Sequence, residues 1–182
     1  MTYEVALHKA WQGLRQAGME KRHLQFLHHE LEVDAGAETI KVLSGGAAFR
    51  DYHEVLILHY LEGEAHVSAI DRDKWISFKE LPGGEFYFSA FRKRAIAPLL
   101  QKFGGDVKAL TGAAAFLEAE PIDYGTVGVA VRVFAKIRLG IVLWEADEEF
   151  AAECSILLND SVRHILPTED IAVMAGIAAG SL

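Results

Sequence analysis

Residues 137–170 read IRLGIVLWEADEEFAAECSILLNDSVRHILPTED, a stretch in which an apolar segment runs directly into an acidic one. Large aliphatic side chains occupy every second position of its first eight residues, which is the period of a β-strand. A dense acidic turn follows at residues 145–149, and a second acidic stretch at 168–170 begins a helix. The sequence therefore predicts a strand at the edge of a sheet, followed by two acidic corners.

The stretch before it predicts the neighbouring strand of the same sheet. Valine occupies alternate positions from Val127 to Val133, so two long antiparallel strands are expected within residues 121–146. The dipeptide Ala135-Lys136 between them is a weak turn signal. One further strand is expected at residues 155–158.

The other periodic patterns predict mainly helices. Residues 2–17 place their apolar side chains on one helical face, with Thr2 as the N-cap and Gly18 just beyond the end. The members of that face are Val5, Leu7, Ala10, Trp11 and Leu14. Predicted after this helix are a β-hairpin within 23–50, a helix at 53–62, a strand at 74–79, a helix at 85–103 that Pro98 interrupts, a helix from Asp106 to Leu117, a short helix ending at Ile165 and a final helix over 167–179.

This order of elements lacks a regular βαβ alternation and predicts an α+β fold. We expect a mainly antiparallel sheet packed against helices, with helices at both the N-terminus and the C-terminus. A single domain over residues 1–182 is expected, with residues 1–18 either part of it or a helical appendage. The apolar face of the first helix suits docking on the domain or on a second copy of the chain. The pattern does not choose between them, so a homo-oligomer is one of the two expectations.

The net charge of −8 lies almost entirely in the last third of the chain. Residues 1–117 carry 14 basic and 15 acidic side chains, whereas residues 118–182 carry 4 basic and 11 acidic ones. An acidic surface repels phosphate backbones, so nucleic acid is not an expected partner. We expect no membrane span, because no run reaches about 18 apolar residues, and no signal peptide, which makes the cytoplasm the expected location.

Cys154 is the single cysteine of the chain. One cysteine excludes an internal disulfide, and it excludes a zinc or iron–sulfur site made from this chain's cysteines alone. The cofactor is otherwise unknown. A small buried side chain is the expected role of Cys154.

The two acidic corners suggest a metal site. Carboxylates that converge from separate elements bind hard divalent cations. The candidate ligands are Asp147, Glu148, Glu149, His164 and Asp170. A solvated turn that holds the edge of the sheet in water is the competing interpretation, and acid–base work by paired carboxylates is a weaker one.

A basic cluster suggests a site for an anion. Arg92 and Arg94, with Lys79, could bind a phosphate or a carboxylate, and Trp144 would border the same site. On a helix, residues 92–94 spread over about 200°, so only some of them can point one way. A solvated helix face is the competing interpretation.

The histidines do not form a metal motif in the sequence. His28 and His29 would point to opposite faces of a strand, and His53 and His59 are six residues apart, which is not a spacing of one helical face. His59, in an apolar helix, is interpreted as a hydrogen-bonded core histidine.

Several segments between residues 55 and 175 resemble, in order, those of an uncharacterised family, the domain of unknown function 3786. The segments are LILHYL at 56–61, WISFKELPGG at 75–84 continuing as EFYFSAF at 85–91, PL at 98–99 with FG at 103–104, VLWE at 142–145 with DEEF at 147–150, and LPTEDIA at 166–172. The resemblance implies a source among anaerobic bacteria and archaea. Some members carry an N-terminal iron–sulfur domain with four cysteines, which this chain does not have, and the family offers no assigned catalytic residues.

Three hypotheses follow, and whether the chain is an enzyme is left open. The first is a cytosolic binding or accessory domain that serves anaerobic redox or corrinoid and one-carbon enzymes, with its site between the corner at 79–94 and the corner at 144–170. The second is a metal-binding protein or enzyme that uses the two acidic corners. The third is a structural subunit that dimerises through its first helix.

Overall fold

The two strands expected between residues 121 and 146 form the middle of a five-stranded antiparallel sheet. β6 (Val127–Phe134) pairs with β7 (Ile137–Trp144), and β7 pairs with β8 (Glu153–Asn159). The strand order is β4-β8-β7-β6-β5. The short outer strands are β4 (Trp75–Ser77) and β5 (Glu120–Pro121). Every residue of β7 except Trp144 is buried, so this strand forms the centre of the core, and its last residue marks where the core ends.

The computed structural model describes residues 3–46, 49–68 and 74–182. Its helices are α1 (Tyr3–Gln16), α2 (Asp51–Glu64), α3 (Gly84–Phe91), α4 (Ala97–Phe103), α5 (Ala109–Ala115) and α6 (Thr168–Gly180). Two short 3-10 helices lie at Phe78–Glu80 and Asp160–His164. Together with the antiparallel sheets, these helices confirm the predicted α+β fold with a helix at each end.

The N-terminal half contains a second, three-stranded sheet. Its strands are β1 (Lys21–Phe26), β2 (His29–Asp34) and β3 (Thr39–Ser44), in sequential antiparallel order. The predicted hairpin corresponds to β2 and β3, whereas β1 was not predicted because most of its side chains are polar and exposed. Leu27 N–H donates to the Val133 carbonyl at 2.8 Å, which joins this sheet to β6.

Helix α1 packs against α2 in the same chain. Ala10, Trp11 and Leu14 of the predicted apolar face are buried. Gly18 has a φ of +74°, the left-handed conformation expected of a residue just beyond a helix end. The cap predicted at Thr2 lies outside the described residues. Within the described parts of the chain, no helix is long and apolar enough to cross a membrane.

A π-helical segment, Arg92–Ile96, joins α3 to α4 at the interruption that Pro98 predicted. Pro98 has no N–H to bond to the carbonyl of Arg94, and its ring would crowd that carbonyl in a regular α-helix. The backbone instead forms a wider turn, in which Ala97 N–H donates to the carbonyl of Arg92. Arg94 is therefore part of an irregular turn and not of a regular α-helix.

The strand predicted at 74–79 is shorter than expected. β4 ends at Ser77, and the next three residues form a 3-10 helix that leads into the turn at Pro82 and Gly83. Gly83 has a φ of +71°, and Gly84 lies so close to Phe78 that a Cβ there would be 2.1 Å from its carbonyl oxygen. These two glycines allow the tight turn that begins α3.

Candidate functional site

The two corners between which the sequence placed a site are in contact. Thr168, the first residue of α6, is buried, and its hydroxyl donates to the Pro82 carbonyl at 2.8 Å. Glu169, the next residue of α6, accepts a hydrogen bond from the hydroxyl of Tyr87 on α3. This bond raises the pKa of Tyr87. The start of α6 is therefore joined to the corner at 81–84 through Thr168 and to α3 through Glu169.

Helix α2 approaches the backbone just before α6 at Gly63. A Cβ on Gly63 would lie 1.9 Å from the carbonyl oxygen of Ile165, so only a residue without a side chain permits this contact. The approach brings His59 of α2 to Asp170 in the first turn of α6. His59 Nδ1 and Asp170 Oδ2 are 2.5 Å apart, and both side chains are partly buried.

Asp170 sets the chemical state of His59. The hydrogen bond to the carboxylate raises the pKa of His59, and the charge of Asp170 acts in the same direction, while burial opposes both. The prediction that His59 is hydrogen-bonded is confirmed. Because Nδ1 is engaged with the carboxylate, the neutral imidazole carries its free electron pair on Nε2. This is the arrangement of a histidine that can accept or return a proton.

Residues of α2 and α6 also line a cleft. The cleft has a volume of about 360 Å³. Its lining residues are Tyr3, Tyr52, Arg94, Val173, Gly176 and Ile177. Tyr52 lies on α2, whereas the last three lie on α6. The π-helical segment and the beginning of α1 close the remaining sides.

Arg94 is the cationic member of the cleft. It is exposed, and no carboxylate of the described residues lies within 4 Å of its guanidinium. Gly176 of α6 packs against Arg94. A Cβ built on Gly176 would lie 3.6 Å from the Cβ of Arg94 and 3.6 Å from its carbonyl oxygen. The rings of Tyr3 and Tyr52 are 6.4 Å apart between centroids. The cleft therefore combines one guanidinium with two aromatic side chains.

Arg92 points elsewhere, as the spread of residues 92–94 around a helix predicted. It borders a separate cleft of about 460 Å³, whose other lining residues include Phe150 and Cys154. Burial raises the pKa of the Cys154 thiol to about 12, so this thiol stays protonated and unreactive at neutral pH. The structure thus separates the two arginines that the sequence had grouped.

The other two residues proposed for an anion site are outside the Arg94 cleft. Lys79 Nζ lies 3.5 Å from the Glu85 carboxylate and 4.6 Å from the centroid of the Phe88 ring. Trp144 is 40% exposed at the end of β7, where it pairs with Glu153 of β8. Of the four candidates, Arg94 is the one that lines the cleft formed with α6.

The acidic corner at 145–149 is a solvent-exposed loop between β7 and β8. Asp147 Oδ1 accepts the backbone N–H groups of Glu149 at 2.8 Å and Phe150 at 2.7 Å. These two bonds lower the pKa of Asp147. Glu148 is exposed like its neighbours. The carboxylate of Asp147 thus satisfies the donors of its own loop.

The five candidate metal ligands do not form one cluster in the described parts of the chain. No group of three or more His, Cys, Asp or Glu side chains there could hold a metal ion. The loop at 145–149 lies before the start of β8, whereas the exposed His164 lies beyond the end of β8. The two ends of a strand of this length are about 20 Å apart. Asp170 is paired with His59. The metal role of the acidic loop stays a prediction.

A second group of histidines differs from the interpretation of the sequence. His28 lies in the turn between β1 and β2 rather than in a strand, so its ring does not point away from that of His29. The two ring centroids are 3.9 Å apart. Burial, followed by the nearby charge of His28, lowers the pKa of His29. The turn begins at Leu27, whose φ of +51° is uncommon for this residue type.

The features of this region that the sequence did not indicate are Tyr3 and Tyr52 in the cleft and the pairing of His59 with Asp170. Tyr52 and His59 are seven residues apart on α2, which is a spacing of one helical face, and this signal was available in the sequence. The partner of His59 is 111 residues away and has no local signal.

Comparison with known proteins places the chain in a family. No curated protein and no solved structure matches it. The model of one family matches residues 11–181, which is nearly the whole chain and includes α2, the π-helical segment and α6. The chain therefore belongs to the family described as a domain of unknown function, DUF3786.

Proposed function

We propose that this chain is a binding domain for a small organic anion, which occupies the cleft between α2 and α6. The observation that carries the proposal is Arg94, which the π-helical segment directs into a cleft that also contains Tyr3 and Tyr52. A guanidinium forms strong paired hydrogen bonds with a carboxylate or a phosphate. π-Helical turns occur frequently at functional sites, because they change the direction of one side chain within a helix.

The cleft also favours an aromatic or otherwise flat ligand. Tyr52 is stacked on His53, with ring centroids 4.2 Å apart, so its ring is held in place. Tyr3 lies across from it at 6.4 Å. Aromatic side chains attract a flat ring through offset or edge contacts. A volume of about 360 Å³ suits a molecule with one ring and one anionic group.

In its broader form, the proposal makes the chain a cytosolic accessory domain for anaerobic redox or corrinoid and one-carbon enzymes, as the family resemblance implies. A corrinoid macrocycle is much larger than the cleft, so a small anionic metabolite of such enzymes is the better candidate for the cleft itself. Thermal-shift screening of corrinoids beside phosphorylated and carboxylated metabolites tests this choice. Stabilisation by a corrinoid but by none of the small anions would contradict the small-ligand proposal.

Isothermal titration with phenyl phosphate and with benzoate tests the binding site. We expect Arg94→Ala to weaken binding of phenyl phosphate at least tenfold, because a charge-assisted pair of hydrogen bonds is lost. Arg92→Ala is the matched control, since it removes the same charge from the same π-helical segment but from a different cleft. An equal loss in both variants would show that general charge, and not the Arg94 cleft, is responsible.

A second pair of variants tests the aromatic wall. Tyr52→Ala should weaken binding of phenyl phosphate about threefold to tenfold and leave binding of inorganic phosphate nearly unchanged. Tyr124→Ala is the control, because it removes a tyrosine ring that is exposed but does not line this cleft. If Tyr52→Ala had the same effect on both ligands, the ring contact would be rejected.

A further inference from the structure

We infer that His53 is the positioning residue of Tyr52 and that it makes the affinity of the cleft for aromatic anions depend on pH. The inference rests on the proposed function, because Tyr52 lines the cleft in which the anion is bound. His53 is not among the residues that line the cleft, so it acts through the tyrosine beside it. It adds regulation to the binding site: the ring of the ligand is held at neutral pH and released in acid.

One ring nitrogen of His53 is engaged at the start of α2. Nδ1 of His53 accepts the backbone N–H of Arg50 at 3.0 Å, just before the helix begins at Asp51. A neutral imidazole has one nitrogen without a proton, and this hydrogen bond requires that nitrogen to be Nδ1. An imidazolium carries an N–H group on both nitrogens. Protonation of His53 therefore sets two donors against each other and removes the bond.

The His53 ring is also in contact with Tyr52. The two rings are stacked, with centroids 4.2 Å apart and planes inclined by 29°. Phe26 and Phe49 flank the same imidazole, with centroids at 6.4 Å and 5.4 Å. Because three aromatic rings surround it, the imidazole cannot turn away from the Arg50 N–H without displacing a neighbour. Loss of the hydrogen bond therefore shifts the ring on which Tyr52 is stacked.

The surroundings of His53 favour the neutral imidazole. Burial lowers the pKa of His53, and the positive charge of Arg50 also lowers it. His29 of β2 lies near enough for the charges of the two histidines to oppose each other. The first turn of α2 adds the carboxylates of Asp51 and Glu54, and burial raises the pKa of Glu54. The acceptor for Arg50 is therefore present above about pH 6.5 and is lost as the pH falls through the folded pKa of His53.

Two sulfonates separate the ring contact from binding of the anion. Benzenesulfonate and methanesulfonate keep one negative charge from about pH 8 to about pH 4.5, whereas a phosphate ester changes its own charge at about pH 6. Only benzenesulfonate has a ring that can contact Tyr52. The ratio of their Kd values therefore measures the ring contact, because any attraction between a protonated His53 and the anion is common to both ligands.

Isothermal titration over this pH range, together with an NMR titration of the His53 ring, tests the inference. We expect the preference for benzenesulfonate over methanesulfonate to fall about threefold on acidification, because the aromatic contact with Tyr52 is weakened. The midpoint of this fall should equal the midpoint of the His53 titration. Both should lie below the ordinary value of 6.5, since the pKa of His53 is lowered in the folded protein.

Variants assign the effect to residues. His53→Gln keeps an acceptor for the Arg50 N–H but cannot be protonated, so the preference should stay high at every pH. His53→Leu has no acceptor, and the preference should be low at every pH. Tyr52→Ala should lose the pH dependence together with the ring contact. His29→Gln is the matched control, because it removes the neighbouring titrating ring and should keep the dependence. His53→Gln also serves if His53→Leu does not fold.

Each outcome decides the matter. A preference that does not change with pH, or that changes with a midpoint different from that of His53, would overturn the role of His53 and leave the proposed binding function intact. Retention of the wild-type pH dependence in His53→Gln would have the same meaning. Failure of both sulfonates to bind at any pH would overturn the proposed anion site and the inference together.

Discussion

Asp147 and Asp170 are both aspartates of acidic corners in the last third of the chain, and their carboxylates have different partners. Asp147 bonds to backbone groups two and three residues away in an exposed loop. Asp170 bonds to a histidine 111 residues away, at a place where α2, α6 and the corner at 81–84 meet. The first corner is built by local contacts and the second by tertiary ones.

The difference shows what makes an acidic corner a candidate site. The composition of the two corners is similar, so charge alone did not separate them. Gly63 and Thr168 distinguish the second corner from the first, because they bring α2 and the turn at Pro82 against the start of α6. The loop at 145–149 has an exposed contact instead, in which Glu145 N–H donates to the Thr126 hydroxyl at 3.0 Å.

The largest effect is expected from Gly63→Ala. The added Cβ would collide with the backbone of Ile165, which cannot move away as a flexible side chain could, so we expect a loss of about 3 kcal/mol in the free energy of unfolding. Urea denaturation measures it. Gly112→Ala is the control, because no described atom lies within 4 Å of its Cβ position, and it should gain up to about 1 kcal/mol. Equal effects would mean that α2 does not press on this corner.

The next effect is a dependence of stability on pH. The pKa of His59 is raised in the folded state above its ordinary value of 6.5. The stabilisation by the His59–Asp170 pair should therefore be complete below about pH 6.5 and should be lost as the pH rises through the folded pKa. We expect Asp170→Asn to cost about 2 kcal/mol at pH 5.5 and clearly less at pH 8.5. A cost that grows with pH would contradict the pairing.

A smaller effect is expected from removing one hydroxyl at each corner. Thr168→Val removes the donor to the Pro82 carbonyl in a buried place, and should lower the free energy of unfolding by about 1 kcal/mol. Thr126→Val removes the exposed acceptor of Glu145 N–H, which water can replace, so we expect less than about 0.5 kcal/mol. Paired urea denaturation curves compare them. A reversed order would break the contrast between the two corners.

The smallest effect is expected from Asp147→Asn. The asparagine oxygen can still accept the N–H groups of Glu149 and Phe150, and the site is exposed, so the melting temperature at pH 7 should not change measurably. Because the pKa of Asp147 is lowered in the folded state, any stabilisation by its charge would be lost as the pH falls below about 4. A rise in melting temperature with Mn²⁺ or Ca²⁺ in the wild type but not in this variant would make the loop a metal site.

The sequence predicted the strands and helices whose pattern is strong within a few residues. The alternating valines of β6 and the aliphatic residues of β7 were sufficient because both strands form the middle of the core. The same rule failed for β1, which pairs through its backbone while most of its side chains stay in water. Pro98 predicted an interruption of the helix, although not its π-helical form.

The candidate site was predictable only in part. The sequence pointed to Arg94, and it placed the site between the two corners that Thr168 and Pro82 bring together. It could not pair His59 with Asp170, because nothing in either segment specifies a partner 111 residues away. It predicted that residues 92–94 cannot all point one way, but it could not tell which arginine lines the cleft beside α6, since both belong to a π-helical segment and not to a regular helix.

An NMR titration of the ¹⁵N-labelled protein with phenyl phosphate distinguishes binding at the Arg94 cleft from binding at the acidic loop, because it observes both regions in one experiment. We expect saturable shifts of the amide signals of Tyr52, Arg94, Val173 and Gly176, with those of Asp147 to Phe150 unchanged, and loss of the shifts in Arg94→Ala but not in Arg92→Ala. Shifts confined to the loop at 145–150, or none at all, would contradict it.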